Sequence, residues 1–510
     1  MKQKKRGNIS TKIAVAAFFF LLQFAFLVFV MCELNNRSLW ISYVCTFLSI
    51  ILVITIVNRR GNPSYKITWL IFILAVPLFA VPVYFLWGGS FVMPRFKKRM
   101  RAEQAAAAKL LKPDEQTQRK LEYADIFHSR QSTFLRNESG FPVYADTSVE
   151  YLSPGEVFYP RLLEELKKAE KFILIEFFIL AEGEMWNGIH EILKEKVKAG
   201  VEVKILFDDF GSISRQYKHF AKNLRAEGIK VAVFNPIKPS FDIFLNNRNH
   251  RKIVVIDGKV AATGGINIGD EYINRIERFG YWMDCAAIFK GAAVKSFSIM
   301  FCEMWNSVKQ QKERMRPEKY INDIYPREEG FVQPYCDDPL GNNNPAEGLY
   351  MQILNSAQKY VYITSPYLIL DNEMITVLCG AARAGVDVRI VAPKHPDKWY
   401  VHPVTQYYYE QLLESGVRIY EFTPGFIHSK LFVSDDSVAT IGTVNMDYRS
   451  FYFHFECGAW MCNNQAVLDI KKHILRIIED SEEIHYDKWK KRPLALKFKQ
   501  SLLHLFAPFM

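Results

Sequence analysis

At 510 residues the chain is long enough for two or three domains, and an apolar fraction of 49% supplies ample material for buried cores. A net charge of +11 first suggests a nucleic-acid binder, but the placement of that charge argues against one. Residues 1–112 carry sixteen Lys or Arg against two acids, Glu33 and Glu103, whereas residues 113–486 sum to about −8 and residues 487–510 to +5. An acidic body offers no basic footprint for nucleic acid. The positive charge flanks apolar segments instead, where it suits anionic lipid head groups.

In chain order, three apolar runs come first, residues 13–31, 39–57 and 67–87, each near the length that crosses a bilayer as a helix. They predict three membrane segments within residues 1–92, with Pro77 and Pro82 placed to kink the third or make it re-enter. Lys2, Lys4, Lys5 and Arg6 favour a cytoplasmic N-terminus, and Arg59, Arg60 and Lys66 a cytoplasmic second loop. Arg95, Lys97, Lys98, Arg99 and Arg101 oppose the export that three full crossings would require, so charge alone assigns no side to the body. The eight cysteines are scattered, without C-x-x-C pairs or zinc spacing, and predict neither a metal site nor a disulfide framework.

A polar, basic and helical connector is expected over residues 93–130. Beyond it the chain alternates strands and helices. Residues 171–179 and 201–207 read as buried strands, and residues 161–170 and 186–199 have helical apolar spacing. The same order returns later. Tyr360-Val-Tyr-Ile-Thr-Ser matches the first strand, and Ala384-Gly-Val-Asp-Val-Arg-Ile matches Ala199-Gly-Val-Glu-Val-Lys-Ile. The reading is an α/β fold made of two similar lobes, residues 131–325 and 326–486, formed by internal duplication. Residues 237–249 form an insert whose Phe241, Ile243, Phe244 and Leu245 suggest a membrane-facing lid, with a packed loop as the alternative. Trp399, Tyr400 and Tyr407 to Tyr409 read as core plus a helix face. The basic, amphipathic tail 487–510 is expected to lie as an interfacial helix or to pack on the body.

The chemistry is concentrated in a pattern that occurs twice. His250, Lys252 and Asp257 are spaced as His-x-Lys-x-x-x-x-Asp, and so are His428, Lys430 and Asp435. Asn267 and Asn445 follow at equal distances, and all four pairs are 178 residues apart. On a strand, residues two apart share a face, so each histidine faces the same way as its lysine. Each aspartate lies five positions beyond its lysine, after an apolar stretch, and is better placed for a turn than for the reacting face. Two histidines and two lysines brought together are suited to phosphodiester attack. One neutral imidazole can attack phosphorus to give a phospho-histidine, while a protonated imidazole donates to the leaving alkoxide. Two lysines supply positive charge, so neither metal nor other cofactor is expected.

These residues resemble the phospholipase D superfamily, and more closely the bacterial cardiolipin synthases. Further stretches carrying that likeness are Asn62-Pro-Ser-Tyr-Lys-Ile-Thr-Trp, Ile175-Glu-Phe-Phe-Ile, Gly264-Gly-Ile-Asn-Ile-Gly-Asp-Glu-Tyr and Ile441-Gly-Thr-Val-Asn-Met-Asp-Tyr-Arg-Ser-Phe. The chain carries one apolar run more than the two-segment form of that family. The resemblance implies one active site shared by two phospholipase D-like lobes behind N-terminal transmembrane helices, in a multi-pass protein of the bacterial cell membrane. It implies His250 as nucleophile and His428 as acid/base, with Lys252, Lys430, Asn267 and Asn445 on the phosphate oxygens and Asp257 and Asp435 stabilising the motifs. Asp284 and Glu456 are further acids beyond the motifs, out of register with each other. The implied reaction is reversible transfer between two phosphatidylglycerol molecules, giving cardiolipin and glycerol. Hydrolysis of phospholipids to phosphatidic acid is the alternative. An acidic body argues against a membrane-tethered nuclease, and two intact motifs argue against a non-enzymatic scaffold.

Overall fold

The structure is a computed structural model that describes residues 39–88, 94–237, 247–308, 313–322, 328–341 and 343–510. The first apolar run, and Phe241 to Leu245 of the suggested lid, lie outside the described residues.

The first lobe is built on strands β1 (Thr147–Leu152), β2 (Phe172–Phe177), β3 (Glu202–Asp208), β4 (Lys230–Phe234), β5 (Arg248–Asn249), β6 (Ile253–Ile256), β7 (Val260–Gly264), β8 (Tyr281–Met283) and β9 (Ala286–Gly291). The second uses β10 (Phe331–Asp337), β11 (Tyr360–Thr364), β12 (Asp387–Pro393), β13 (Arg418–Phe422), β14 (Gly425–Ile427), β15 (Leu431–Ser434), β16 (Val438–Gly442), β17 (His454–Cys462) and β18 (Ser481–Ile484). The sheet orders are β1-β9-β7-β6-β2-β3-β4 and β10-β17-β16-β15-β11-β12-β13-β18. Apart from the added edge strand β18, one order repeats the other, so the two lobes are copies in topology as well as in motif.

Continuous apolar runs become central strands because each sheet is covered on both faces. Every residue of β2, β6, β11 and β15 is buried. The helix Val294–Ser307 is buried on almost every side and joins the core between the lobes. Thr263 of β7 lies 3.5 Å from the Cys457 sulfur of β17, where the two sheets meet.

The expected connector is helical, over Pro94–Ala107, Glu115–Ala124 and Ile126–Ser139. Its last helix crosses to the second lobe, where Trp460 donates to Gln131 at 2.9 Å and Gln333 donates to the Ser132 carbonyl at 3.1 Å.

Of the three expected membrane segments, the first lies outside the described residues, and a crossing by the other two is not shown. The second apolar run is a helix, Leu39–Asn58, but the side chains of Leu39, Ile41 and Ser42 lie outside the described residues. The third run is broken into two short helices, Pro63–Ala75 and Pro77–Trp87. The break falls at Val76, extended at φ −140°, because Pro77 disfavours a helical residue before it and has no N–H to continue the ladder. Judged on the described residues, no helix is long and apolar enough to cross a membrane.

The tail helix Leu494–His504 packs one face on the second lobe, with His504 stacked on Tyr407 at 3.9 Å. Its end meets the N-terminal helices: Phe506 faces Phe72 at 5.8 Å and Phe509 faces Trp69 at 5.6 Å. Of the aromatic stretch expected to be core, Tyr408 and Tyr409 are buried, but Trp399 is 72% exposed.

Candidate active site

Each histidine is positioned by a short strand that leaves its own sheet and pairs with the other lobe. β5 runs parallel to the start of β17, with Arg248 opposite His454 and Asn249 opposite Phe455. The next pair in that register is His250 with Glu456, and the His250 N–H donates to the Phe455 carbonyl at 2.9 Å. β14 runs parallel to β8 in the same way, ending with Ile427 opposite Met283. The following pair is His428 with Asp284, and the His428 N–H donates to the Met283 carbonyl at 2.7 Å.

The exchange is reciprocal. His250 Nδ1 lies 2.9 Å from Glu456 Oε2, and His428 Nδ1 lies 2.7 Å from Asp284 Oδ2. Burial would raise both carboxyls, but the imidazole opposite each, together with His454 at Glu456 and with Lys430 and the Cys285 N–H at Asp284, holds them below the usual carboxylate range. Each acid is therefore ionised and accepts, so each imidazole donates its Nδ1–H and carries its lone pair on Nε2. Burial pushes the imidazoles down to about 3 for His250 and about 4 for His428, which keeps both neutral at neutral pH.

Lys252 and Lys430 are buried beside them, each Nζ donating to the carbonyl of the histidine two residues before. Burial lowers Lys252 to about 7 and Lys430 to about 8, and the charge of Lys430 further lowers Lys252. The β5–β17 and β14–β8 pairings thus gather the four side chains into one pocket-like cluster at the lobe interface. Aromatic rings wall it: Phe178 faces His250 at 5.0 Å, and Trp282 and Tyr272 face His428 at 5.3 and 5.7 Å.

Asn267 and Asn445 are buried near this pocket, but each uses a donor within the protein. Asn267 Nδ2 donates to the Tyr272 hydroxyl at 2.8 Å while its Oδ1 accepts from the Ile179 N–H at 3.0 Å. Asn445 Nδ2 donates to Asp447 at 3.2 Å.

Asp257 and Asp435 are not brought to the pocket. Asp257 starts the β6–β7 turn at φ 54° and accepts the N–H groups of Glu170, Lys171 and Phe172 at 2.7–2.8 Å. Asp435 repeats this at φ 51°, accepting from Gln358, Lys359 and Tyr360 at 2.7–3.0 Å. Each sits at the far end of its strand, roughly 16 Å along the chain from the motif lysine at strand rise. Each fixes the start of β2 or β11 through these hydrogen bonds.

Sequence spacing underrated Asp284 and Glu456, because Asp284 lies 17 residues beyond Asn267 and Glu456 only 11 beyond Asn445. Extra residues in the loop before β8 cause that mismatch. The usable signal was local: each acid precedes a cysteine and a buried strand, Asp284-Cys-Ala-Ala-Ile and Glu456-Cys-Gly-Ala-Trp.

Comparison with known proteins agrees with this duplicated architecture. The family described as cardiolipin synthase, PLD-like domain, matches twice, at residues 162–290 and 350–478. A phospholipase D-nuclease N-terminal family matches residues 47–89. A cardiolipin synthase of Geobacillus sp. is 34% identical, with 94% of each chain covered. An uncharacterised protein of Streptococcus mutans is 40% identical over 90% of this chain and 99% of that relative. The crystal structure of phosphatidylserine synthase from Haemophilus influenzae shares the fold at TM-score 0.55 and 16% identity, covering 76% of this chain and 98% of that one. With two matched domains and relatives spanning nearly its whole length, the chain belongs to the cardiolipin synthase family of phospholipase D-like phosphatidyltransferases.

Proposed function

We propose that the protein makes cardiolipin by reversible phosphatidyl transfer between two phosphatidylglycerol molecules. The observation that carries this reading is the reciprocal pairing of His250 with Glu456 and His428 with Asp284 across the lobe interface. In the proposed mechanism, His250 Nε2 attacks the donor phosphorus, forming a phosphatidyl-histidine as the bond to glycerol breaks. The anionic substrate phosphate raises the proton affinity of His428, which takes up a proton from solvent as substrate binds, gives it to the departing glycerol oxygen and then takes one from the acceptor hydroxyl. That second alcohol displaces His250, and the product is released. Lys252 and Lys430 neutralise the non-bridging oxygens, with Asn267 and Asn445 closing the phosphate site. An anionic phosphate between the two lysines also raises their affinity for protons, reversing the effect of burial.

Membrane association fits the surface. Trp40, Tyr43, Phe47, Ile50 and Ile54 of the first described helix are exposed, and so are Leu494, Phe498 and Leu502 of the tail. Contiguous apolar exposure of this kind suits a bilayer surface. Purified protein in phosphatidylglycerol vesicles should yield cardiolipin and an equal amount of free glycerol. Phosphatidic acid as the lipid product would overturn transfer in favour of hydrolysis.

A further inference from the structure

The two halves of the pocket are copies with one chemical inequality. β17 places His454 two residues before Glu456, on the same face of the strand. β8 places Trp282 two residues before Asp284, and its indole stands 5.3 Å from the His428 ring. The ring of His454 stands in the matching place, 5.6 Å from that of His250. His454 Nδ1 is 3.5 Å from Glu456 Oε1, an ion-pair distance, and is enclosed without a hydrogen bond. Glu456 is thus faced by two imidazoles as well as the Thr443 hydroxyl, whereas the Asp284 carboxylate faces one imidazole and accepts the Cys285 N–H at 2.8 Å.

We propose that His454 is a positioning residue: by sharing the Glu456 carboxylate with His250, it decides which of the two imidazoles attacks phosphorus. The inference rests on the transfer reaction proposed above and deepens it. A carboxylate whose charge is divided supports a proton on His250 less well, so His250 keeps its Nε2 lone pair. Asp284 serves one imidazole, His428, and an imidazole whose carboxylate is not shared with a second imidazole is the better proton carrier. The charged and titratable groups facing His454 are Glu456 on its own strand, Arg248 opposite it on β5, His250 from the first lobe and Asp447 from the loop after β16. Lys252 faces the same His250–Glu456 pair. His454 acts on His250 in the direction required, lowering its affinity for a proton after the larger effects of burial and Lys252.

The test uses full-length His454→Asn and His454→Gln in phosphatidylglycerol vesicles, with kcat/KM followed from pH 4 to 9. The acid limb should move to higher pH by about half a unit or more in both variants, with the plateau within a few-fold of wild type. A uniform loss at every pH, or an unmoved acid limb, would assign His454 a packing role and overturn the proposal. Rapid quenching in cold denaturant at neutral to mildly alkaline pH, where the N–P bond survives, and peptide mass spectrometry of wild type should find the phosphatidyl group on His250, and finding it on His428 would also overturn the proposal. Glycerol release by wild type reports the transfer reaction separately, so a failed shift leaves that reading standing.

Discussion

At the scale of single residues, the conserved spacing of the two motifs hides two kinds of work. Glu456 and Asp284 fix the tautomer of the imidazoles they touch, whereas Asp257 and Asp435 hold backbone N–H groups at the start of neighbouring strands. The two kinds should separate on substitution. Glu456→Gln leaves the pocket filled but lets an amide N–H point at Nδ1, favouring the wrong tautomer. Its kcat should fall roughly 10²- to 10⁴-fold with little change in thermal midpoint. Asp257→Ala removes three charge-assisted hydrogen bonds and should cost about 2–4 kcal/mol of stability, while kcat per folded molecule stays within a few-fold. Cardiolipin assays beside thermal melts check both, and a catalytic loss from Asp257→Ala exceeding that from Glu456→Gln would reverse the assignment.

At the scale of elements, the site depends on close approach between strands of different lobes. Gly265 and Thr443 are equivalent positions, 178 residues apart, just after β7 and β16. Thr443 donates its hydroxyl to Glu456, but a Cβ on Gly265 would lie 2.1 Å from Asp284 Oδ1 and 3.0 Å from the His428 carbonyl. The shorter acid therefore fits only because its neighbour is glycine. Gly265→Ala should displace Asp284 and lower kcat about 100-fold, with the fold retained by circular dichroism. Wild-type turnover would mean that Asp284 does not align His428. This pairing was not legible in the sequence. Strands of two or three residues such as β5 and β14 carry no periodicity, and what they pair with is set by lobe docking. The sheets themselves were legible, since runs such as Ile253-Val-Val-Ile are buried on both faces.

At the scale of the whole molecule, the C-terminal tail packs against both the second lobe and the helix Pro63–Ala75. The Thr68 hydroxyl donates to the Leu505 carbonyl at 3.2 Å, and Arg449 donates to the Phe509 carbonyl at 3.1 Å. Leu494, Phe498, Leu502 and Leu505 form an exposed stripe at helical spacing, flanked by Lys497 and Lys499. Of the two readings its sequence allowed, the tail packs one face on the body, and its other face is exposed. Replacing Leu494 and Phe498 together by Asn should lower kcat/KM on phosphatidylglycerol vesicles about tenfold and leave turnover in detergent micelles unchanged. Equal activity in both would show that the stripe stays off the bilayer.

The sequence by itself determined the duplication, the four residues His250, Lys252, His428 and Lys430, and the α/β class. Alternation along a strand and a constant 178-residue offset are local or additive signals, readable without coordinates. Only the tertiary structure decided that each histidine is served by an acid from the other lobe and that His454 stands where the other half has Trp282. These follow from parallel pairing between segments some 200 residues apart for His250 and about 140 for His428, a register that depends on how two finished sheets dock. Packing, not spacing, brought the reacting groups together.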